Sequence, residues 1–192
     1  MARIGLLKPR VAKYTESSGT VTYSDGQILG KAIDHELTLE NSDPVILYAD
    51  DGAAESVGGF SSGTLTITVD ELLLADAGLI FGITPETITT PSAGTGLTFD
   101  DDMAPPYLGY GVIIPKIRNN TRSWMALLLT KIKFAIPGDS FVTKGETVEF
   151  QTPQLTATVI RDDTTKHAWR KYAEFATEAA ADTWLNTQLS IT

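Results

Sequence analysis

The segment Thr64-Leu65-Thr66-Ile67-Thr68-Val69 alternates strictly between hydroxyl and aliphatic side chains. Successive side chains of a strand point to opposite faces, so Leu65, Ile67 and Val69 line one side of a ribbon and the threonines line the other. A helix, with its period of about 3.6 residues, would scatter the same aliphatic groups around its axis. The alternation recurs at 36–40, 131–134, 147–151 and 155–159, and shorter β-prone runs occupy 11–14, 21–23, 45–48 and 111–114. A strand with one apolar face belongs in an antiparallel sheet that shows that face to a core. Pro9 cannot donate to a ladder, so the first strand is expected to begin after it or to lie at an edge. Several short strands separated by turn residues predict a sandwich or barrel, mainly β with flanking helix.

Two helices are expected among the strands. Asp70-Glu71 opens a short one over 72–77, with Gly78 placed to stop it. The second runs over about 177–189, where Thr177 can cap the first turn and Glu178 suits its positive end. Ala181, Trp184, Leu185 and Gln188 recur at helical spacing, so this helix is expected to lie against the sheet. Two long loops are predicted, a glycine-rich one at 49–63 and a proline- and threonine-rich one at 84–106.

The 192 residues suit a single domain spanning 1–192. Basic residues number 15 and acidic ones 24, a net charge of −9, which argues against gripping nucleic acid through neutralised phosphates. The absence of cysteine excludes disulfides, thiol nucleophiles and Cys-ligated zinc. No apolar run approaches the roughly 20 residues that span a bilayer, and the first residues lack the apolar stretch of a secretory signal. A chain made in the cytoplasm is expected.

Gly59-Phe60-Ser61-Ser62-Gly63 fits the G-x-S-x-G pattern of a hydrolase nucleophile elbow, but that motif needs a helix after the serine, and the alternating strand 64–69 follows instead. The runs Asp50-Asp51-Gly52 and Asp100-Asp101-Asp102 lack the alternating ligand positions of a calcium loop. His35 and His167 have no second metal-type ligand at helical spacing. Asn119-Asn120-Thr121 is a glycosylation sequon without a secretory context. No enzyme is expected, with no catalytic residue, cofactor or metal.

Several segments in order resemble the phi13-type major tail protein family of siphophages of Gram-positive bacteria. They are Gly5-Leu6 with Ala12-Lys13-Tyr14-Thr15, then Tyr48-Ala49-Asp50-Asp51-Gly52 leading to Gly63-Thr64-Leu65, then Pro106-Tyr107-Leu108-Gly109-Tyr110-Gly111. The most specific is Thr143-Lys144-Gly145-Glu146-Thr147-Val148-Glu149-Phe150-Gln151-Thr152-Pro153, and 179–185 with Trp184 is similar to the family's final helix. Some relatives carry a further immunoglobulin-like domain, which is not expected here. The resemblance implies a β-sandwich subunit with a flanking helix, closed into hexameric rings that stack into the tail tube of a virion. It implies as partners further copies of itself and the tape-measure, tail terminator and distal tail proteins. Double-stranded DNA would pass through the tube without specific binding, and no membrane would be contacted.

On that reading the polar-face residues Glu36, Thr38, Glu40, Thr66, Thr68 and Glu149 are candidates for the channel lining, and the alternative for each is an ordinary solvated surface. The 49–63 loop, with Asp50, Asp51, Gly52, Glu55, Gly58 and Gly59, is the candidate inter-ring element, mobile in the free subunit. Its acids are expected to meet Lys131, Lys133 and Arg161 across the contact. The competing functions are the inner tube of a contractile phage tail or phage-derived bacteriocin, a monomeric β-sandwich binding or decoration module, and a hydrolase built on Ser61. Ser61→Ala is expected to leave assembly and infectivity unchanged; loss of infectivity from particles with well-formed tubes would reinstate the hydrolase.

Overall fold

A computed structural model describes residues 2–49, 52–138, 143 and 151–191. Its strands are β1 (Ala2–Arg3), β2 (Leu7–Ser17), β3 (Thr20–Ile28), β4 (Ala32–Asn41), β5 (Val45–Ala49), β6 (Gly52–Val57) and β7 (Phe60–Val69). Helix α1 (Leu74–Phe81) follows, then β8 (Glu86–Ile88), β9 (Gly94–Gly96), β10 (Leu108–Arg118), β11 (Thr121–Phe134), β12 (Gln154–Ile160), β13 (Arg170–Phe175) and α2 (Glu178–Leu189). The chain is mainly β, built on one antiparallel sheet ordered β3-β2-β10-β11-β12-β7-β4, with β1 beside β10 and β13 beside β11. Among the described residues no pairing joins β3 to β4, so the sheet curls without closing into a barrel.

Tight turns set the central register. Arg118 faces Thr121 across Asn119 and Asn120, both at positive φ (48° and 62°), and Ser17 faces Thr20 across Ser18 and Gly19 (52° and 77°). Positive φ at both turn positions gives the twist that two-residue hairpins need, and Asn and Gly adopt it most readily.

Curling gives the sheet an inner face that packs on itself. Leu65, Ile67 and Val69 of β7 and Leu155, Ala157 and Val159 of β12 meet Tyr110, Val112 and Ile114 of β10 and Leu127 and Leu129 of β11 in one core. The reverse face of β10 and β11 is also buried, because Ala12, Ile113, Ala126 and Leu128 receive Ala181, Leu185 and Leu189 of α2. Strands covered on both faces need no alternation. For this reason β11 extends well upstream of the alternating run at 131–134.

Four expectations need correction. Pro9 lies within β2, an interior strand, rather than before it or at an edge. The ladder accommodates it: Gly111 pairs with Arg10 and Ile113 with Leu7, so the β2 side holds an extra residue, with Lys8 at φ 50°. A bulge is where a sheet tolerates proline. Residues 49–63 are not a long loop: β5 and β6 form a hairpin, Gly59 and Ser42 exchange hydrogen bonds, and Phe60 already belongs to β7. The 84–106 stretch likewise holds a small ribbon, β8 with β9. Helix α1 runs past Gly78 to end at Gly82, which takes the left-handed conformation at φ 73°. Gly78 serves packing instead, since a Cβ there would lie 2.7 Å from the Ile83 carbonyl oxygen.

Helix α2 begins as expected, with the Thr177 hydroxyl accepting from the Ala180 amide. It is pinned by Arg10, whose side chain has no solvent exposure: Nη2 donates to Asp182 Oδ1 at 2.5 Å and Nη1 donates to Asn186. Lys8 adds contacts of 3.1 Å to both Asp182 and Glu178. Burial alone would push the Asp182 carboxyl up, but the hydrogen bonds from Arg10 and Lys8 outweigh it and hold the pKa below its usual value. The pairing therefore stabilises the fold above that ordinary carboxylate range and is lost as pH falls through the lowered value. Asp182→Ala is expected to destabilise the chain by about 3 kcal/mol in denaturant unfolding at neutral pH, because it leaves a buried guanidinium short of its counterion. Arg10→Met combined with Asp182→Leu is expected to recover most of that loss.

Candidate functional site

With the core inside the curl and α2 behind β10 and β11, one broad face of the sheet carries no helix among the described residues. It is the outer side of β4, β7 and β12. Register aligns Asp34 with Thr68 and Gln154, Glu36 with Thr66 and Thr156, Thr38 with Thr64 and Thr158, and Glu40 with Ser62. Each row places side chains side by side on adjacent strands, close enough to interact. Glu36, Thr38 and Glu40 are exposed, while Thr66 and Thr68 are half-buried between their neighbours. The Ser62 hydroxyl donates to Glu40 Oε2 at 2.9 Å. The surface is a lattice of hydroxyls and carboxylates, bordered on β11 by the exposed Lys133 opposite Thr158.

Five of the six candidate lining residues thus share one face, and Glu149 lies outside the described residues. Alternation located those five. It did not single out Ser62, Gln154, Thr156 and Thr158, which only the strand order brings beside them.

The candidate inter-ring element is the β5–β6 hairpin. Asp50 and Asp51 lie outside the described residues; Gly52 and Glu55 are on β6, where they pair with Ala49 and Leu47. Gly58 and Gly59 lead from the hairpin back to β7. Its conspicuous feature is apolar: Val45, Ile46 and Leu47 are 74%, 41% and 59% exposed. A two-stranded ribbon is marginal alone and gains stability from a surface that covers its apolar residues.

Lys131 is not free to meet acids of another copy. It donates to Asp163 Oδ2 at 2.5 Å and sits 4.5 Å and 5.0 Å from the Tyr107 and Tyr14 ring centroids. Hydrogen bonds from Lys131 and then Tyr14 hold the Asp163 carboxyl below its usual range. Lys133 and Arg161 remain exposed.

Ser61 is an exposed strand residue within β7, not the apex of a strand-to-helix turn. A cleft of about 310 Å³ lined by Tyr107, Lys133, Phe134, Ala135, Thr158 and Ile160 offers hydroxyls and one cation but no nucleophile with an adjacent base. Among the described residues no group of three or more His, Asp or Glu side chains is placed to hold a metal. Phe60, Trp169, Arg170 and Tyr172 form a further aromatic and cationic series that sequence reasoning missed. Phe60 stacks on Trp169 at 4.1 Å, and the Arg170 guanidinium lies 4.3 Å and 4.8 Å from the Trp169 and Tyr172 centroids. The Trp169 ring thus lies against both Phe60 and Arg170, while Tyr172 remains 47% exposed.

Glu36→Lys with Glu40→Lys is expected to keep the fold, with unfolding free energy changed by no more than about 0.5 kcal/mol per site, since both side chains project outward. Circular dichroism and denaturant unfolding check it. Comparison with protein-family models gave no match for this chain, and comparison with curated proteins gave none either.

Proposed function

We propose that the chain is a structural, self-assembling protein: a major tail-tube subunit whose hexameric rings stack into a conduit for double-stranded DNA. The observation that carries this reading is the bare lattice of Thr and acidic side chains on β4, β7 and β12, backed directly by the apolar core. Such a face suits a wet channel wall. Duplex DNA carries one negative charge per about 1.7 Å, and each cationic contact gains free energy from counterion release. A stacked tube repeats every wall residue many times, so weak attractions would accumulate into a trap. A wall of hydroxyls and carboxylates avoids this.

The exposed apolar hairpin supports the same reading, because a ring that stacks needs a second, axial contact besides the one that closes it. On this view the hairpin is a preformed ribbon that seats on a neighbouring subunit, and its Val45 and Leu47 contribute more than the acids near its turn. The inner tube of a contractile tail or bacteriocin would use the same features.

Negative-stain microscopy and sedimentation of the purified protein test the proposal: rings or tubes are expected, and uniformly small particles at high concentration would favour a monomeric binding module. Val45→Ser with Leu47→Ser is expected to leave a folded subunit that no longer forms tubes. Tubes of normal length from that variant would remove the hairpin from the assembly. In particles, Glu36→Lys with Glu40→Lys is expected to slow DNA ejection, most strongly at low salt. Unchanged ejection kinetics would place these residues outside the channel.

A further inference from the structure

Among the described residues, strand β4 ends the sheet path and pairs on one side only, with β7. Its inward-facing His35 reaches across the mouth of the curl to Tyr110 on β10, a strand with which β4 shares no ladder. His35 Nδ1 lies 3.1 Å from the Tyr110 hydroxyl oxygen, and the rings stack with centroids 5.7 Å apart and planes 14° apart. Tyr110 is 1% exposed, and burial pushes its hydroxyl pKa well above the ordinary phenol value. The hydroxyl therefore keeps its proton, and it can donate that proton to Nδ1 when the imidazole is neutral with its own proton on Nε2.

We propose that the His35–Tyr110 pair is an acid-sensitive latch that holds β4 against β10 at neutral pH and releases it in mild acid. Protonated imidazole carries a hydrogen on both nitrogens. Nδ1–H would then face the hydroxyl hydrogen of Tyr110, and that buried donor would lose its acceptor. The charged groups acting on His35 are Asp34 on its own strand and Arg3 on β1. Burial of the ring is the largest influence and lowers its pKa below 6.5; Asp34 opposes that effect and Arg3 reinforces it. The unfolded chain thus binds this proton more readily than the folded one. The contribution of the pair is complete above pH 6.5 and declines as pH falls below that, until the folded ring itself protonates. Loosening β4 therefore loosens the edge of the polar wall.

Hydrogen exchange measured by mass spectrometry tests the latch, with protection corrected for the intrinsic rate at each pH. Between about pH 7.5 and about pH 5, protection of β4 peptides is expected to fall roughly tenfold while that of β10 and β11 holds. His35→Gln keeps an acceptor that does not titrate, so its β4 protection is expected to be the same at both pH values. Equal protection of the unmodified chain at both pH values overturns the proposal, as does an equal fall in His35→Gln. If that variant does not fold, ¹⁵N spectra of the unmodified chain decide. An Nε2–H tautomer titrating below 6.5 supports the latch, and an Nδ1–H tautomer or a midpoint at or above 6.5 overturns it.

Discussion

Arg10 sits between sheet and helix with no solvent exposure, and a guanidinium in that position is tolerable only if its donors find fixed acceptors. Asp182 and Asn186 supply them, and their spacing of one helical turn means that α2 can satisfy both only by turning a single face to β2. The same face carries Ala181, Leu185 and Leu189, so the charge and the apolar stripe specify one orientation together. Glycines on β10 make the approach possible. A Cβ at Gly109 would lie 2.5 Å from the Tyr23 ring and 2.7 Å from Leu189, and one at Gly111 would lie 3.0 Å from Leu185. Once α2 occupies that side, β10 and β11 are covered on both faces, while β4, β7 and β12 keep one that the described residues leave uncovered. The bare polar wall is thus a consequence of where the helix is anchored.

That dependence explains which parts of the fold could be read from the chain. Strands 36–40, 64–69 and 155–159 alternate because each has one buried face, and the alternation correctly sorts Glu36, Thr38 and Glu40 from Leu37 and Leu39. Strand β11 hides its type, since Met125, Ala126, Leu127, Leu128 and Leu129 are all buried and periodicity has nothing to contrast. Helix α2 declared its start through Thr177, a local cap, whereas Gly78 imitated a helix stop that tertiary packing overrode. The Arg10 anchor joins residues 172 positions apart, and the His35–Tyr110 contact joins residues 75 apart. No local pattern carries such pairs, because only the strand order creates them. The polar wall stands between these cases: its members on each strand were legible, and the rows linking Glu36, Thr66 and Thr156 required the register.

Charge follows the same division. Lys8, Arg10, Lys31, Lys116 and Lys131 each lie against a carboxylate of their own chain, at Glu178, Asp182, Asp70, Glu174 and Asp163. These pairs tie α2, β13 and the segment after β12 to the body of the sheet, and they bury Arg10 and Lys131 against carboxylates of their own chain. On the polar wall, among the described residues, neither Asp34 nor Glu36 takes part in an ion pair, and Glu40 is met by a hydroxyl. If copies of the chain surround a channel with this face inward, the wall presents to DNA the same sign of charge as the phosphates. The hydroxyls between the carboxylates keep it wetted while offering nothing that competes with a phosphate's counterions. In that arrangement the charges that hold the subunit together, Arg10 with Asp182 and Lys131 with Asp163, would not be the wall carboxylates Asp34, Glu36 and Glu40 that a passing polyanion would meet.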